Sequence, residues 1–245
     1  AIDAGINFFA TPDVYGGTKS EEFLGRALGK RRGEVVVATK FGMQVGKDQR
    51  KRGGSRRWIM QAVEDSLRRM GTEWVDLYQH HQPDPETPVD ETLRALDDLV
   101  TQGKVRYIGN SNYTGWQIAD ADWTAAGQSR FVSAQNLYSL LERKSAFEVL
   151  PACEHFGLGF LPFFPLASGL LSGKDRRGGA PRLYLPVSRP EASGKNGRKP
   201  RPKCSQAGST SRSTSRSSSE NWFWAETKRV PPAAVQSASA ICQPA

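Results

Sequence analysis

Five polar side chains follow short apolar runs in the first two thirds of the chain. They are Tyr15, Lys40, His81, Asn112 and Gln135. A phenol, an ammonium group and an imidazole that share a pocket can exchange protons with a substrate, but a phenol with a pKa of about 10 is a weak acid at neutral pH. A neighbouring cation favours the ionised phenol and lowers that pKa. The first three of these residues therefore indicate an active site.

Each residue also has a simpler structural explanation when it is considered alone. A tyrosine after a strand is usually structural, a lysine at a strand end is usually solvated, and a lone histidine is usually a hydrogen-bonded core residue. The argument for an active site depends on the joint occurrence of Tyr15, Lys40 and His81 at three consecutive strand ends.

Six short runs rich in β-branched and aromatic residues alternate with longer amphipathic segments. The runs are INFFAT (6–11), VVVATK (35–40), WVDLYQHH (74–81), VRYIGNS (105–111), FVSAQN (131–136) and GFLPFF (159–164). Such runs are typical of parallel strands buried on both faces. The alternation predicts repeated strand–helix units with right-handed crossovers.

The segments between the strands carry helix signals. Thr18 and Glu21 have the spacing of a capping box before an apolar stripe, which predicts a helix over 18–30. A second helix is predicted from about Ser55 to Gly71, the position of a left-handed C-terminal cap. Three more helices are predicted, over 87–103, 114–127 and 146–156.

Six parallel strands fit either a closed barrel or an open doubly wound sheet. No GxGxxG motif follows any of the strands, and the polar residues cluster at strand carboxyl ends, as they do at the mouth of a barrel. The sequence therefore predicts an α/β fold, an incomplete (β/α)8 TIM barrel with about six of its eight strands.

Five segments in order resemble the signatures of one enzyme family. They are GINFFATPDVYGG, VVVATKFG, VDLYQHHQPDP, YIGNSNYTGWQ and FFPLASGLLSGK. Residues 1–174 resemble the aldo-keto reductases, in the branch similar to potassium-channel β subunits and bacterial general oxidoreductases. The resemblance implies NADP(H)-dependent reduction of a small aldehyde or ketone to an alcohol.

The resemblance also implies a role for each catalytic candidate. Tyr15 matches the proton donor, Lys40 its cationic partner, and His81 the residue that orients and polarises the carbonyl. The neighbouring His80 points to the opposite face by strand alternation, and we expect it to serve in packing.

The cofactor contacts follow from the same resemblance. Ser111 and Asn112 match the pair that hydrogen-bonds the nicotinamide carboxamide, and Gln135 matches a third amide contact. Phe163 matches the aromatic residue that stacks on the ring, although an ordinary core phenylalanine is an equally good interpretation. The residues that match the loop around the pyrophosphate are Pro165, Leu166 and Lys174.

The segment 175–245 differs from the rest of the chain. It contains 13 Lys and Arg against 4 Asp and Glu, so the whole net charge of +9 resides in it. It is rich in Ser, Pro and Gly and poor in apolar residues, which predicts a disordered tail. The abrupt change suggests a shifted reading frame or a junction with unrelated sequence.

Two alternative functions remain. The tail could bind nucleic acid, or the barrel could bind a nucleotide without catalysis.

The resemblance implies that the first and eighth strands of the barrel are absent. Two open sheet edges and an uncovered inner layer then favour aggregation or self-association.

Three widely spaced cysteines indicate no disulfide framework or zinc site, and no apolar run is long enough to span a membrane. The expectation is a cytoplasmic protein that needs no metal.

The chain departs from the family at one catalytic position. The aspartate that the family carries five residues before the tyrosine is replaced by Ala10, and we do not expect Asp13 to substitute for it. Lys40 should then lack its counter-ion, its pKa should fall, and Tyr15 should lose its activator. Together with the missing carboxyl-terminal strand, this predicts that the reductase activity is weakened or lost and that NADP(H) binds weakly, if it binds.

Restoring that carboxylate should increase activity. We expect the Ala10→Asp variant to reduce carbonyl substrates on the order of 10² faster than the natural chain, since this is the scale of general acid catalysis. Steady-state reductase assays of the two proteins measure the ratio, and equal rates would contradict the expectation.

Overall fold

The computed structural model describes residues 1–173, which form a six-stranded parallel sheet accompanied by helices. The strands pair in chain order, each with the next. They are β1 (Phe8–Ala10), β2 (Val36–Phe41), β3 (Val75–His80), β4 (Val105–Ser111), β5 (Phe131–Leu137) and β6 (Gly159–Phe163). The helices are α1 (Lys19–Leu28), α2 (Arg56–Met70), α3 (Val89–Thr101), α4 (Gly115–Thr124) and α5 (Val149–Phe156).

This arrangement confirms the predicted α/β class and the incomplete barrel. The sheet curls into a half-barrel, and within the described part of the chain β1 and β6 each pair with a single neighbour. All six strands lie within two residues of their predicted bounds. Lys174 and the segment 175–245 lie outside the described residues, so the predictions for the tail stay predictions.

The second helix forms as its sequence predicts. The Ser55 side chain caps its start by accepting a hydrogen bond from the Trp58 amide, and Gly71 ends it in the left-handed region with φ 62°. The predicted apolar stripe is buried, including Ile59 and Val63 at 0% exposure. Burial of this stripe against the sheet holds α2 in place.

The predicted capping box of the first helix is wrong. Thr18 has a left-handed backbone with φ 79°, and its side chain makes no capping hydrogen bond. Glu21 turns inward instead, where it accepts hydrogen bonds of 2.6 Å from both the Thr39 hydroxyl and the Arg69 guanidinium. Hydrogen bonds to a charged group are stronger than those of a helix cap, so the buried partners prevail.

The two faces of the sheet have different surroundings. The face that carries Val37, Phe41 and Tyr78 packs under the helices and forms the apolar core. The opposite face lines the inside of the half-barrel and is only partly covered, with Val36 41% and Tyr107 58% exposed. None of the helices in residues 1–173 is long and apolar enough to cross a membrane.

The buried Glu21 provides a test of this packing. Glu21→Ala should lower the free energy of unfolding by about 3 to 5 kcal/mol, because it leaves the largely buried Arg69 guanidinium without its partner. The exposed neighbour Glu22→Ala is the matched control and should change stability by less than about 0.5 kcal/mol. Urea unfolding monitored by circular dichroism measures both, and similar losses would show that the Glu21–Arg69 pair is unimportant.

Candidate active site

The carboxyl ends of three neighbouring strands bring Tyr15, Lys40 and His81 together. Tyr15 follows β1, Lys40 is the next-to-last residue of β2, and His81 follows β3 directly. The Tyr15 and His81 rings meet edge to face with their centroids 6.4 Å apart. Lys40 lies close enough to His81 for its charge to lower the pKa of the imidazole. The predicted cluster is therefore present at one rim of the sheet.

Backbone hydrogen bonds extend beyond the strands and fix this rim. The Asp13 amide donates to the Lys40 carbonyl at 3.0 Å, and the His81 amide donates to the Phe41 carbonyl at 2.8 Å. Gln79 is the register partner of Lys40, and His81 lies two residues after Gln79. Strand alternation therefore directs the side chains of Lys40, Gln79 and His81 into the half-barrel.

Lys40 is a buried cation. Only 6% of the residue is exposed, and burial lowers the pKa of its amine to about 8, while the Asp13 charge acts in the opposite direction. No carboxylate among residues 1–173 lies within 4.0 Å of its nitrogen. The expected fall in the lysine pKa is thus confirmed, with desolvation as its main cause.

Tyr15 does not gain acidity from this arrangement. The residue is 47% exposed, and partial burial raises the pKa of its phenol. Lys40 does not contribute to that shift. Partial burial therefore sets the direction of this pKa shift in the structure.

The two histidines have separate environments. Burial lowers the pKa of His81 to about 3, with smaller contributions from Lys40 and His80, and its Nδ1 has no described hydrogen-bond partner. His81 is therefore a neutral imidazole at neutral pH. His80 stacks on Phe41 with centroids 4.9 Å apart, and its Nδ1 lies 2.9 Å from the Tyr113 hydroxyl. This confirms that His80 serves in packing.

Comparison with known proteins identifies the family of the chain. The family model described as "Aldo/keto reductase family" matches residues 1–235, which extends past the boundary predicted at residue 174. The chain belongs to the aldo/keto reductase family. The resemblance stated from the sequence motifs is confirmed.

The relatives include a bacterial oxidoreductase and a potassium-channel β subunit, as the motif resemblance predicted. The chain is 41% identical over 194 residues to "Uncharacterized oxidoreductase YrpG" of Bacillus subtilis, covering 74% of this chain and 59% of the relative. It is 39% identical over 186 residues to "Probable voltage-gated potassium channel subunit beta" of Oryza sativa subsp. japonica, covering 73% and 56%. "Versiconal hemiacetal acetate reductase" of Aspergillus parasiticus is 37% identical over 194 residues, covering 70% and 56%. The chain thus spans less than two thirds of the length of these relatives.

The residues predicted from the motif resemblance to contact a nicotinamide include Ser111, Asn112 and Gln135, which lie along the same rim. The Ser111 hydroxyl donates to the Gln135 carbonyl at 2.8 Å, and the Asn112 amide donates to the His81 carbonyl at 3.0 Å. The Gln135 side-chain oxygen is buried without a partner in the described residues. Asn112 has a left-handed backbone with φ 60°. The Asn112 side chain therefore links the end of β4 to the residue that follows β3 through a hydrogen bond.

The remaining cofactor candidates are more open. Phe163 ends β6 half-buried, in edge-to-face contact with Phe164, and lies on the same sheet face as Gln135 by register. Pro165 and Leu166 follow it and are exposed. Lys174 lies outside the described residues. Phe163 is therefore only partly covered, and Pro165 and Leu166 are uncovered.

The sequence analysis did not predict the burial of two residues of this region, Asp13 and Gln79. Asp13 is 0% exposed, neither of its carboxylate oxygens has a described partner, and burial followed by the Glu21 charge raises its pKa to about 8. No local pattern distinguished it from a surface acid. Gln79 is also 0% exposed, and strand alternation with His81 was the signal that could have identified it.

The lowered pKa of His81 predicts a pH dependence of stability. The unfolded chain binds a proton at this ring below its ordinary pKa of 6.5, whereas the folded chain does not until about pH 3. Stability is therefore lost as the pH falls through this window. The difference in unfolding free energy between the natural chain and His81→Gln should shrink by up to about 1.4 kcal/mol per pH unit.

Denaturant unfolding between neutral and mildly acidic pH measures this difference. The control is His155→Gln, which alters an exposed ring on α5. A difference for His81→Gln that stays constant with pH would show that this imidazole is freely protonated in the folded chain.

Proposed function

We propose that this protein reduces small aldehydes or ketones to alcohols, with NADP(H) as the hydride donor and Tyr15 as the proton donor. The observation that supports the proposal is the convergence of Tyr15, Lys40 and His81 at the ends of three adjacent strands, in a chain of the aldo/keto reductase family.

The reaction requires a hydride and a proton. The reduced nicotinamide, when bound, supplies the hydride to the carbonyl carbon. The Tyr15 hydroxyl gives its proton to the carbonyl oxygen, which becomes the alcohol hydroxyl, and the phenolate then recovers a proton from water. The 47% exposure of Tyr15 leaves its hydroxyl accessible to substrate and to solvent.

Neutral His81 orients the carbonyl in this proposal. A neutral imidazole carries one N–H donor, and its low pKa keeps it from competing with Tyr15 as the acid. The edge-to-face contact with Tyr15 places both groups against the same space. A carbonyl oxygen held there accepts from both side chains.

The residues present fit a nicotinamide carboxamide. The unpartnered buried oxygen of Gln135 is an acceptor for an amide N–H group, and Ser111 and Asn112 are held beside it. Phe163 offers an aromatic face on the same side of the sheet. These four residues would hold the ring, and the preference for NADP over NAD is carried over from the family.

Catalysis should be slow in this proposal. Partial burial raises the pKa of Tyr15, and Ala10 stands where the family carries its aspartate, so proton delivery lacks its usual assistance. Binding of the cofactor and substrate does not depend on this step.

Oxidation of NADPH in the presence of small aldehydes and ketones tests the proposal. We expect measurable turnover that Tyr15→Phe lowers by at least about a hundredfold, because this variant removes only the transferred proton. Tyr107→Phe, which removes an exposed hydroxyl early in β4, is the matched control and should leave the rate unchanged.

The other outcomes of this assay are also informative. Full activity of Tyr15→Phe would refute the role of Tyr15. Quenching of tryptophan fluorescence by NADPH without any turnover would instead support nucleotide binding without catalysis.

A further inference from the structure

Two buried groups with complementary hydrogen-bonding capacity lie side by side in the half-barrel. Lys40 of β2 and Gln79 of β3 are register partners, so their side chains project from neighbouring positions of the same sheet face. Their exposures are 6% and 0%. One carries donors only, and the other carries an acceptor.

The orientation of the Gln79 amide is fixed by a backbone carbonyl. Its Nε2 donates to the Asn110 carbonyl oxygen at 3.3 Å, and a carbonyl oxygen can only accept. The Oε1 atom is therefore the free end of the amide, and it has no partner among residues 1–173. A buried carbonyl oxygen without a hydrogen bond lowers the free energy of unfolding, so a donor for the Gln79 oxygen would stabilise the folded chain.

A glycine keeps room for this amide. The row that contains Lys40 and Gln79 continues through Gly109 of β4 to Ser133 of β5. A Cβ atom at Gly109 would lie 3.2 Å from the Gln79 Cγ atom and 2.4 Å from the Ser133 hydroxyl oxygen. A larger residue at Gly109 would clash first with Ser133 and would also crowd the Gln79 side chain at its Cγ atom.

We propose that Gln79 is a positioning residue for Lys40: its amide oxygen accepts a hydrogen bond from the Lys40 ammonium group and holds it at the barrel mouth, where Ala10 supplies no carboxylate. The two groups are not hydrogen-bonded in the structure, so the proposed contact requires the Lys40 side chain to rotate toward Gln79. The significance of this contact for catalysis rests on the proposed reductase function, whereas the contact itself does not.

The charged and titratable groups around Lys40 are few. Burial raises the pKa of Asp13, after β1, to about 8, and His81, after β3, is neutral at neutral pH. An amide dipole stabilises an ammonium group less than a carboxylate does, so Gln79 can retain the charge of Lys40 without restoring an ordinary lysine pKa.

Competitive trace acetylation tests the proposal directly. Acetic anhydride labels only the unprotonated amine, so the labelling of Lys40, measured across neutral and alkaline pH by mass spectrometry of its peptide, reports the pKa of this group. Gln79→Glu should raise that pKa by about one to three pH units, the usual effect of an adjacent opposite charge. Gln79→Met, which keeps the length and removes the acceptor, should lower it. Gln61→Met on the exposed face of α2 is the matched control.

The variants keep the test decisive. Circular dichroism checks that each variant folds. If Gln79→Glu does not fold, the labelling of Gln79→Met tests the proposal. Gly109→Ala is a second variant that should displace the Gln79 side chain. A Lys40 titration that is unchanged in folded Gln79→Met would overturn the proposal. A shifted titration in a protein that oxidises no NADPH would refute the reductase function and leave the contact intact. In an active protein, the pH profile of kcat should shift in the same direction as the labelling curve.

Discussion

The parallel pairing of β1, β2 and β3 is the constraint on which the candidate site depends. Parallel strands end at one edge of a sheet, so side chains that follow successive strands meet there although tens of residues separate them in the chain. The ladder continues past the strand ends through the Asp13 and His81 amides. Tyr15, Lys40 and His81 lie at one rim because backbone hydrogen bonds between neighbouring segments fix the positions of the strand ends.

The same pairing forces polar groups into positions with little or no exposure to water. Lys40 and Gln79 face the inside of the half-barrel, whereas Asp13 and Glu21 are buried on the other side of β1 and β2. Glu21 is satisfied by Thr39 and Arg69, whereas Asp13 and the Gln79 oxygen have no described partners. Burial then governs protonation, because it lowers the pKa of Lys40 and His81 and raises that of Asp13. The chemistry of the rim is thus a consequence of desolvation more than of ion pairing.

Local sequence patterns predicted the helices and strands well where no residue of the pattern has a stronger partner elsewhere in the fold. The α2 stripe, its Ser55 cap and its Gly71 end are examples, because each depends on backbone geometry within a few residues. The Thr18–Glu21 capping box failed because Glu21 has stronger partners on β2 and α2, far away in sequence. The helix with a true capping box is α4, where Thr114 and Gln117 cap each other. Both cases have the required spacing, so spacing alone could not separate them.

The sequence by itself determined the α/β class, the order of six strands, the family and the candidate residues at the strand ends, since periodicity and motifs are properties of neighbouring positions. Only the tertiary structure decided which polar groups are buried, that Lys40 lies near Gln79 without a carboxylate at hand, and that His81 is neutral. These properties depend on contacts between segments that are distant in the chain, and the free energy of a charge depends on how much water its neighbours exclude.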